Sequence, residues 1–315
     1  MSRCYGKGRL ILSGICLSVL SLTYSISPSF AGDPFRTENP RNIGATTEKA
    51  FNALFLEGDY PQAKTYLDQA KLTEKNDPLV PALRASLAYT EEDWANMEFY
   101  ADETVKVARA LEKDDPLRSN LYLAVGNFLQ GAYKFQKQGP LAALSQLQSV
   151  FKYFERAENI DGSDPELNLI KGYFNLILAV NLPFSSPSQA ISQLQQYAGP
   201  EFLVNRGIAV AYRDLKDYDA ALVFADKALA NTPDNPEIYY LRGQILREKG
   251  MRDKNVPTLE RALENFNTAL AKLEQMPVNA AQVPLQRDHR ATVEMIAQLK
   301  QQSPIDQSSL NNISQ

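Results

Sequence analysis

Cysteine is almost missing from this chain: of 315 residues only Cys4 and Cys16 carry a thiol, and both lie within the first thirty. Beyond that point no disulfide framework, zinc–thiolate site or cysteine nucleophile can be built. Histidine is scarcer still, with the single His289 set among Arg287, Asp288 and Arg290 in a helical stretch, where it reads as a solvated residue. One histidine and no later thiol exclude HExxH, Ser-His-Asp and Cys-His constellations within the chain. No glycine-rich phosphate loop and no GxSxG elbow occur. Basic charge is also short. Against 37 acidic residues stand 33 basic ones, for a net charge of −4, the wrong balance for general affinity to nucleic acid or anionic lipid.

Long apolar runs are equally rare. The longest, Leu10 to Leu22, holds 13 residues, short of the roughly 20 a spanning helix needs. It follows the basic residues Arg3, Lys7 and Arg9 and precedes Ser29-Phe30-Ala31, a small-x-small pattern before Gly32. Residues 1–31 therefore read as a signal peptide cleaved after Ala31. The expectation is an exported protein in a periplasm or an equivalent compartment such as a thylakoid lumen. Retention of the leader as an anchor is the other reading of the same residues.

What the chain does have is punctuation. Asp77-Pro78, Asp115-Pro116, Asp164-Pro165 and Asn235-Pro236 each pair a capping side chain with a proline whose missing amide hydrogen would have had no helical partner. The markers lie 38, 49 and 71 residues apart, and Gly199-Pro200 divides the last interval into 35 and 36. Helical units recurring at such a period predict a solenoid. In residues 202–233 the small residues Ala209, Ala221 and Ala228 sit where two helices must approach closely. Ile208, Tyr212 and Tyr218 fill the space between them, and Pro233 ends the unit.

This set of small residues, aromatics and a closing proline resembles the tetratricopeptide repeat (TPR), a helix pair of about 34 residues. Fainter copies lie on either side. Residues 44–77 supply Gly58, Tyr60, Ala63 and Ala70, and residues 78–115 supply Trp94, with Met97 where the family has alanine. Residues 165–201 keep Gly172, Ala190 and Leu194, with NLPFSSP widening the turn. Residues 236–276 carry Gly243, Gly250, Ala262, Phe266 and Ala269, with about seven extra residues read as turn around MRDKNVPTLE. Residues 116–164 depart most, keeping only Ala157 in place, with helices about two turns too long. The predicted fold is all-α: a right-handed α-solenoid of about five to six TPR-like helix pairs over residues 44–276, with a C-terminal capping helix in 277–302. Residues 32–43 are expected to be a disordered linker and residues 303–315 a disordered tail.

The resemblance implies a concave groove lined by the first helix of each pair. Carried onto the two best units, its lining positions are Leu203, Arg206, Val210, Arg213 and Asp214, then Glu237, Tyr240, Gln244, Arg247 and Glu248. Arg206, Val210, Arg213, Tyr240, Gln244 and Arg247 form the candidate protein-binding site, arginine and tyrosine being favoured interface anchors. Some family members clamp a carboxylate terminus with lysine and asparagine in the first repeat. Here Glu48 and Asn52 stand at those places, so that clamp is missing. No catalytic, cofactor-binding or metal-binding residue is assigned. The carboxylates of Asp161-Gly-Ser-Asp164-Pro-Glu166 lack the ligand spacing of a calcium loop and read as a helix-capping turn. The functional expectation is a non-enzymatic scaffold or assembly factor holding a protein or extended peptide, without nucleic acid, cofactor or membrane insertion of the mature chain. A membrane-associated accessory subunit and a carboxylate-dependent enzyme on a helical scaffold are the alternatives.

Overall fold

The computed structural model describes residues 32–181 and 187–302. The leader, residues 182–186 of the widened turn and the C-terminal tail lie outside them. Thirteen α-helices follow one another in the described residues: α1 (Ala45–Asn52), α2 (Tyr60–Thr73), α3 (Leu79–Thr90), α4 (Trp94–Ala110), α5 (Pro116–Gln138), α6 (Pro140–Asp161), α7 (Pro165–Asn181), α8 (Pro187–Tyr197), α9 (Glu201–Asp214), α10 (Tyr218–Asn231), α11 (Pro236–Asp253), α12 (Val256–Leu270) and α13 (Val283–Gln302). They form six antiparallel pairs, α1–α2 through α11–α12, with α13 packed on the last. The fold is an all-α solenoid, as the period of the capping residues predicts.

All four Asx-Pro markers begin helices, and each side chain accepts a hydrogen bond from an early backbone N–H. Asp77 takes it from Leu79 at 2.9 Å, Asp115 from Arg118 at 2.9 Å, Asp164 from Leu167 at 2.8 Å and Asn235 from Glu237 at 2.9 Å. Second helices are capped in the same way by Asp59, Asp93, Asp217 and Asn255. Ala63, Ala70, Ala221, Ala228, Ala262 and Ala269 are fully buried where helices cross, and Met97 fills its alanine place without exposure.

Two features depart from the expected layout, and a third follows it. The extra residues of the sixth unit do not widen its turn. α11 runs on to Asp253 and α12 begins at Val256, so the added length is helical. In the third unit α5 and α6 reach 23 and 22 residues against 14 each for α9 and α10, the excess length the sequence predicts.

The second departure is the segment 32–43, which is not a loose linker. Ile43 is fully buried and Phe35 packs edge-on against Phe51, ring centroids 5.1 Å apart. Arg36 is ion-paired with Asp164. Arg41 reaches Asp115 at 3.3 Å, Asp164 at 2.9 Å and Glu166 at 2.8 Å. The physical reason is charge: carboxylates gathered at the N-termini of α5 and α7 need cations, and the strap brings two. Arg118 adds a third, 2.9 Å from Asp77 and 3.5 Å from Glu166.

The solenoid also closes on itself. The turn between α1 and α2 touches the start of α11. There Asn235 Nδ2 donates to the Phe55 carbonyl at 3.0 Å and the Tyr60 hydroxyl donates to Glu237 Oε1 at 2.8 Å. Gly58 permits this contact. Its φ is +67°, and a Cβ there would lie 2.5 Å from Asn235 Oδ1.

Candidate functional site

Because first helices face inward and the first pair meets the sixth, the inner faces of α1, α3, α5, α7 and α9 line a half-open cavity of about 290 Å³. Its wall is aromatic and aliphatic: Phe51 and the following Phe55, Leu83 on α3, Val125 and Phe128 on α5, Ile170, Tyr173, Phe174 and Ile177 on α7, and Leu203 on α9. Phe174 is the centre of the wall, with the rings of Phe128, Phe151 and Phe154 at 5.6, 5.5 and 5.4 Å. α7 carries apolar residues on almost every side, with Leu169, Ile170, Tyr173, Phe174 and Ile177 on one face and Leu167, Leu176, Leu178 and Ala179 around the rest, more than packing against one partner helix uses.

Polar groups sit at the edges. The charged residue of the lining is Arg206, whose Nη2 lies 3.1 Å from Glu237 Oε2. The charge of Glu237 holds the Arg206 guanidinium above its ordinary pKa. Tyr173 donates to the Leu203 carbonyl at 2.7 Å, and burial pushes its hydroxyl up to about 12. At another edge Tyr122 donates to Glu166 Oε1 at 2.6 Å. Burial raises the Glu166 pKa, with Arg118 and Arg41 opposing. A wall of this kind can sequester apolar side chains, while arginine and tyrosine hydroxyls at its edges orient a polar backbone.

The six groove residues predicted from sequence divide between two settings. Arg206 faces the cavity. Val210 is half-buried beside the cluster of Ala209, Tyr218, Leu241 and Ile245. Arg213 spans to the next repeat, its Nη1 2.9 Å from Gln244 Oε1, while Asp214 accepts from its Nε and Nη2. Tyr240 is buried against α13, donating to Asp288 Oδ2 at 2.9 Å and packing on Phe266 at 5.9 Å. The capping helix therefore occupies the inner face of α11 at that point. Arg247 is half-buried on the same helix, its Nε enclosed without a hydrogen-bond acceptor among the described residues. Phe51, Phe55, Phe128, Tyr173, Phe174 and Ile177 line the cavity without being among the lining positions predicted from the two best repeats. The signal available was the all-round apolarity of α7.

His289 of the capping helix has its Nε2 3.0 Å from Asn267 Oδ1 on α12. Asp161 caps its own turn through Ser163, and Asp164 and Glu166 face arginines. Among the described residues no group of three His, Cys, Asp or Glu side chains is arranged to hold a metal ion.

Stacked helix pairs around an inner cavity define a helical-repeat fold. Residues 207–235 and 236–266 each match the tetratricopeptide repeat family model. The chain thus carries tetratricopeptide repeats over residues 207–266; the matched stretch runs from within α9 through most of α12, and the earlier pairs share the same helix–turn–helix plan. A search of curated proteins finds no match to it.

Proposed function

We propose that this protein is a non-enzymatic scaffold whose inner cavity holds an apolar segment of a partner protein. The observation that carries the reading is the cavity itself, about 290 Å³ and walled by aromatic and aliphatic side chains from five successive repeats. Tetratricopeptide repeats serve protein–protein interaction as a class, and the closed path of this solenoid favours a short inserted segment over a long extended peptide.

A photo-crosslinking residue at Ile177, which is 45 % exposed on the cavity wall, tests this against the same residue at Leu72 on the outer face of α2. In cells that make the protein, position 177 is expected to capture a discrete partner that position 72 does not. Identical adducts at both positions, or none at 177, overturn the reading.

We further propose that the scaffold works after export, with the leader removed at Ala31. Support comes from the basic-apolar-small pattern of residues 1–31 and from Gly32, whose nitrogen lies 3.0 Å from Glu48 Oε2. An amino terminus created there would meet a countercharge. N-terminal sequencing of the cellular protein is expected to begin at Gly32. A chain that still begins at Met1 favours the accessory subunit held at a membrane by its leader. No described helix is long and apolar enough to cross a membrane.

A further inference from the structure

The α5–α6 hairpin stands apart from the rest of the molecule in length and in charge. Its helices outrun those of α9–α10 by eight residues or more, so its tip extends past the neighbouring pairs. At the turn, a Cβ built on Gly139 would meet nothing within 4 Å. Around this turn Phe135, Leu141 and Leu144 are 55, 84 and 53 % exposed. Leu141 and Leu144 share one face of α6, one helical turn apart.

The charge is as unusual. From residue 116 to residue 154 there is no aspartate or glutamate, although the whole chain carries a net charge of −4. The basic residues of that stretch are Arg118, buried at the base of the hairpin, and Lys134, Lys137 and Lys152. Lys137 lies with Nζ 5.5 Å from the ring centre of Trp94, the one tryptophan of the chain, and Tyr89 meets that ring edge-on at 5.9 Å. Acidic groups bound the patch on the side of α4, where Glu98 engages the Tyr133 hydroxyl and Asp102 accepts from Gln130 at 2.6 Å.

We propose that the tip of this hairpin docks on the surface of an anionic lipid bilayer. Exposed leucine and phenylalanine on a convex tip need a partner that closes around them without a matched pocket, and the headgroup–acyl boundary does so. The lysines beside them meet lipid phosphates, while the acidic body is repelled from the same surface, so the molecule approaches tip first. A whole-chain charge balance unfavourable to anionic lipid conceals this because it averages the hairpin with the body. The contact is peripheral, and it is separate from the inner cavity.

The test is flotation of the protein purified from producing cells. One set of vesicles is phosphatidylcholine alone, and the other contains about one-third phosphatidylglycerol, enough to set up a negative surface potential. Wild type is expected to float with the anionic vesicles, and less at about 0.5 M salt, where screening is strong. Leu141→Asp/Leu144→Asp is expected to cut the bound fraction about tenfold or more, since it removes the inserted side chains and adds like charge. These residues are exposed, so far-UV circular dichroism should be unchanged. Lys134→Gln/Lys137→Gln, which spares the apolar tip, should lose binding at lower salt than wild type. Trp94 emission should shift to the blue with anionic vesicles and stay put in the leucine variant. No flotation of wild type overturns the proposal, as does equal flotation of the leucine variant, which would locate binding elsewhere in the chain. A lipid-indifferent tip that instead crosslinks to another protein in cells overturns it too and assigns the surface to that protein.

Discussion

The Tyr60 hydroxyl donates to Glu237 across 177 residues of sequence, at 2.8 Å. The other oxygen of the same carboxylate is held by Arg206 at 3.1 Å. One glutamate thus joins the first repeat to the sixth and fixes the charged edge of the cavity. Tyr60→Phe is expected to cost about 1.5–3 kcal/mol, the net worth of one hydrogen bond to a charged acceptor. Gly58→Ala should cost a similar amount, about 1–3 kcal/mol, because it combines a left-handed backbone with a collision against Asn235. Urea denaturation measures both. Small-angle scattering should show the Gly58→Ala chain expanded, and an unchanged radius of gyration would mean that the contact does not hold the ring shut.

A carboxylate from the end of one helix caps the start of another. α1 has no capping side chain of its own at Gly44. Glu74, just past α2, accepts from the amides of Thr46 at 2.9 Å and Thr47 at 2.8 Å and from the Thr47 hydroxyl at 2.6 Å. Burial alone would raise its pKa, but these donors together carry it below the ordinary value. The folded-state pKa is therefore depressed, so the stabilisation is present above the unfolded carboxylate pKa and is lost as pH falls through the folded value. Glu74→Gln should cost about 1 kcal/mol at neutral pH. The difference from wild type should shrink as both are titrated below about pH 4, followed by thermal melts across that range.

The strap gives a prediction of a different kind. Arg41 meets three carboxylates, two of them fully buried, so removing its charge leaves Asp164 and Glu166 short of a partner. Arg41→Gln is expected to cost about 3–5 kcal/mol, as for other broken buried pairs. It should also speed tryptic cleavage after Arg36, which mass spectrometry reads directly. Cleavage at the wild-type rate would show that Arg36 and Phe35 hold the strap unaided.

What the sequence discloses follows from the range of each interaction. Asx-Pro caps and buried alanines act within one helix pair, so their spacing is legible in a single chain, and a solenoid of about five to six pairs follows from it. The strap is different. Arg41 finds its buried partners 123 and 125 residues away, and nothing local separates such an arginine from a solvated one. The same holds for Tyr60 and Glu237. The predicted groove shows both cases. Arg206 reaches the cavity because its position depends on its own helix, whereas Tyr240 is covered because α13, remote in sequence, folds back onto α11. The aromatics of the cavity wall resemble core residues one helix at a time. Only the closing of the ring leaves them facing a shared space.

The cavity wall separates stability from binding at two positions one helical turn apart. Phe174 is buried against three other rings, so Phe174→Ala should lose about 3–5 kcal/mol through lost packing and an enlarged void. Ile177 faces the same cavity but is 45 % exposed. Ile177→Lys should therefore change the melting temperature little, since substitutions at exposed positions cost about 0.5 kcal/mol or less. It should nonetheless weaken capture of the partner, because a solvated charge would have to be buried or displaced when an apolar segment enters. Thermal melts and quantified crosslinking on both variants decide the matter. If Ile177→Lys captures the partner as well as wild type at unchanged stability, the cavity is packing space, and the binding surface lies on another face of the repeats.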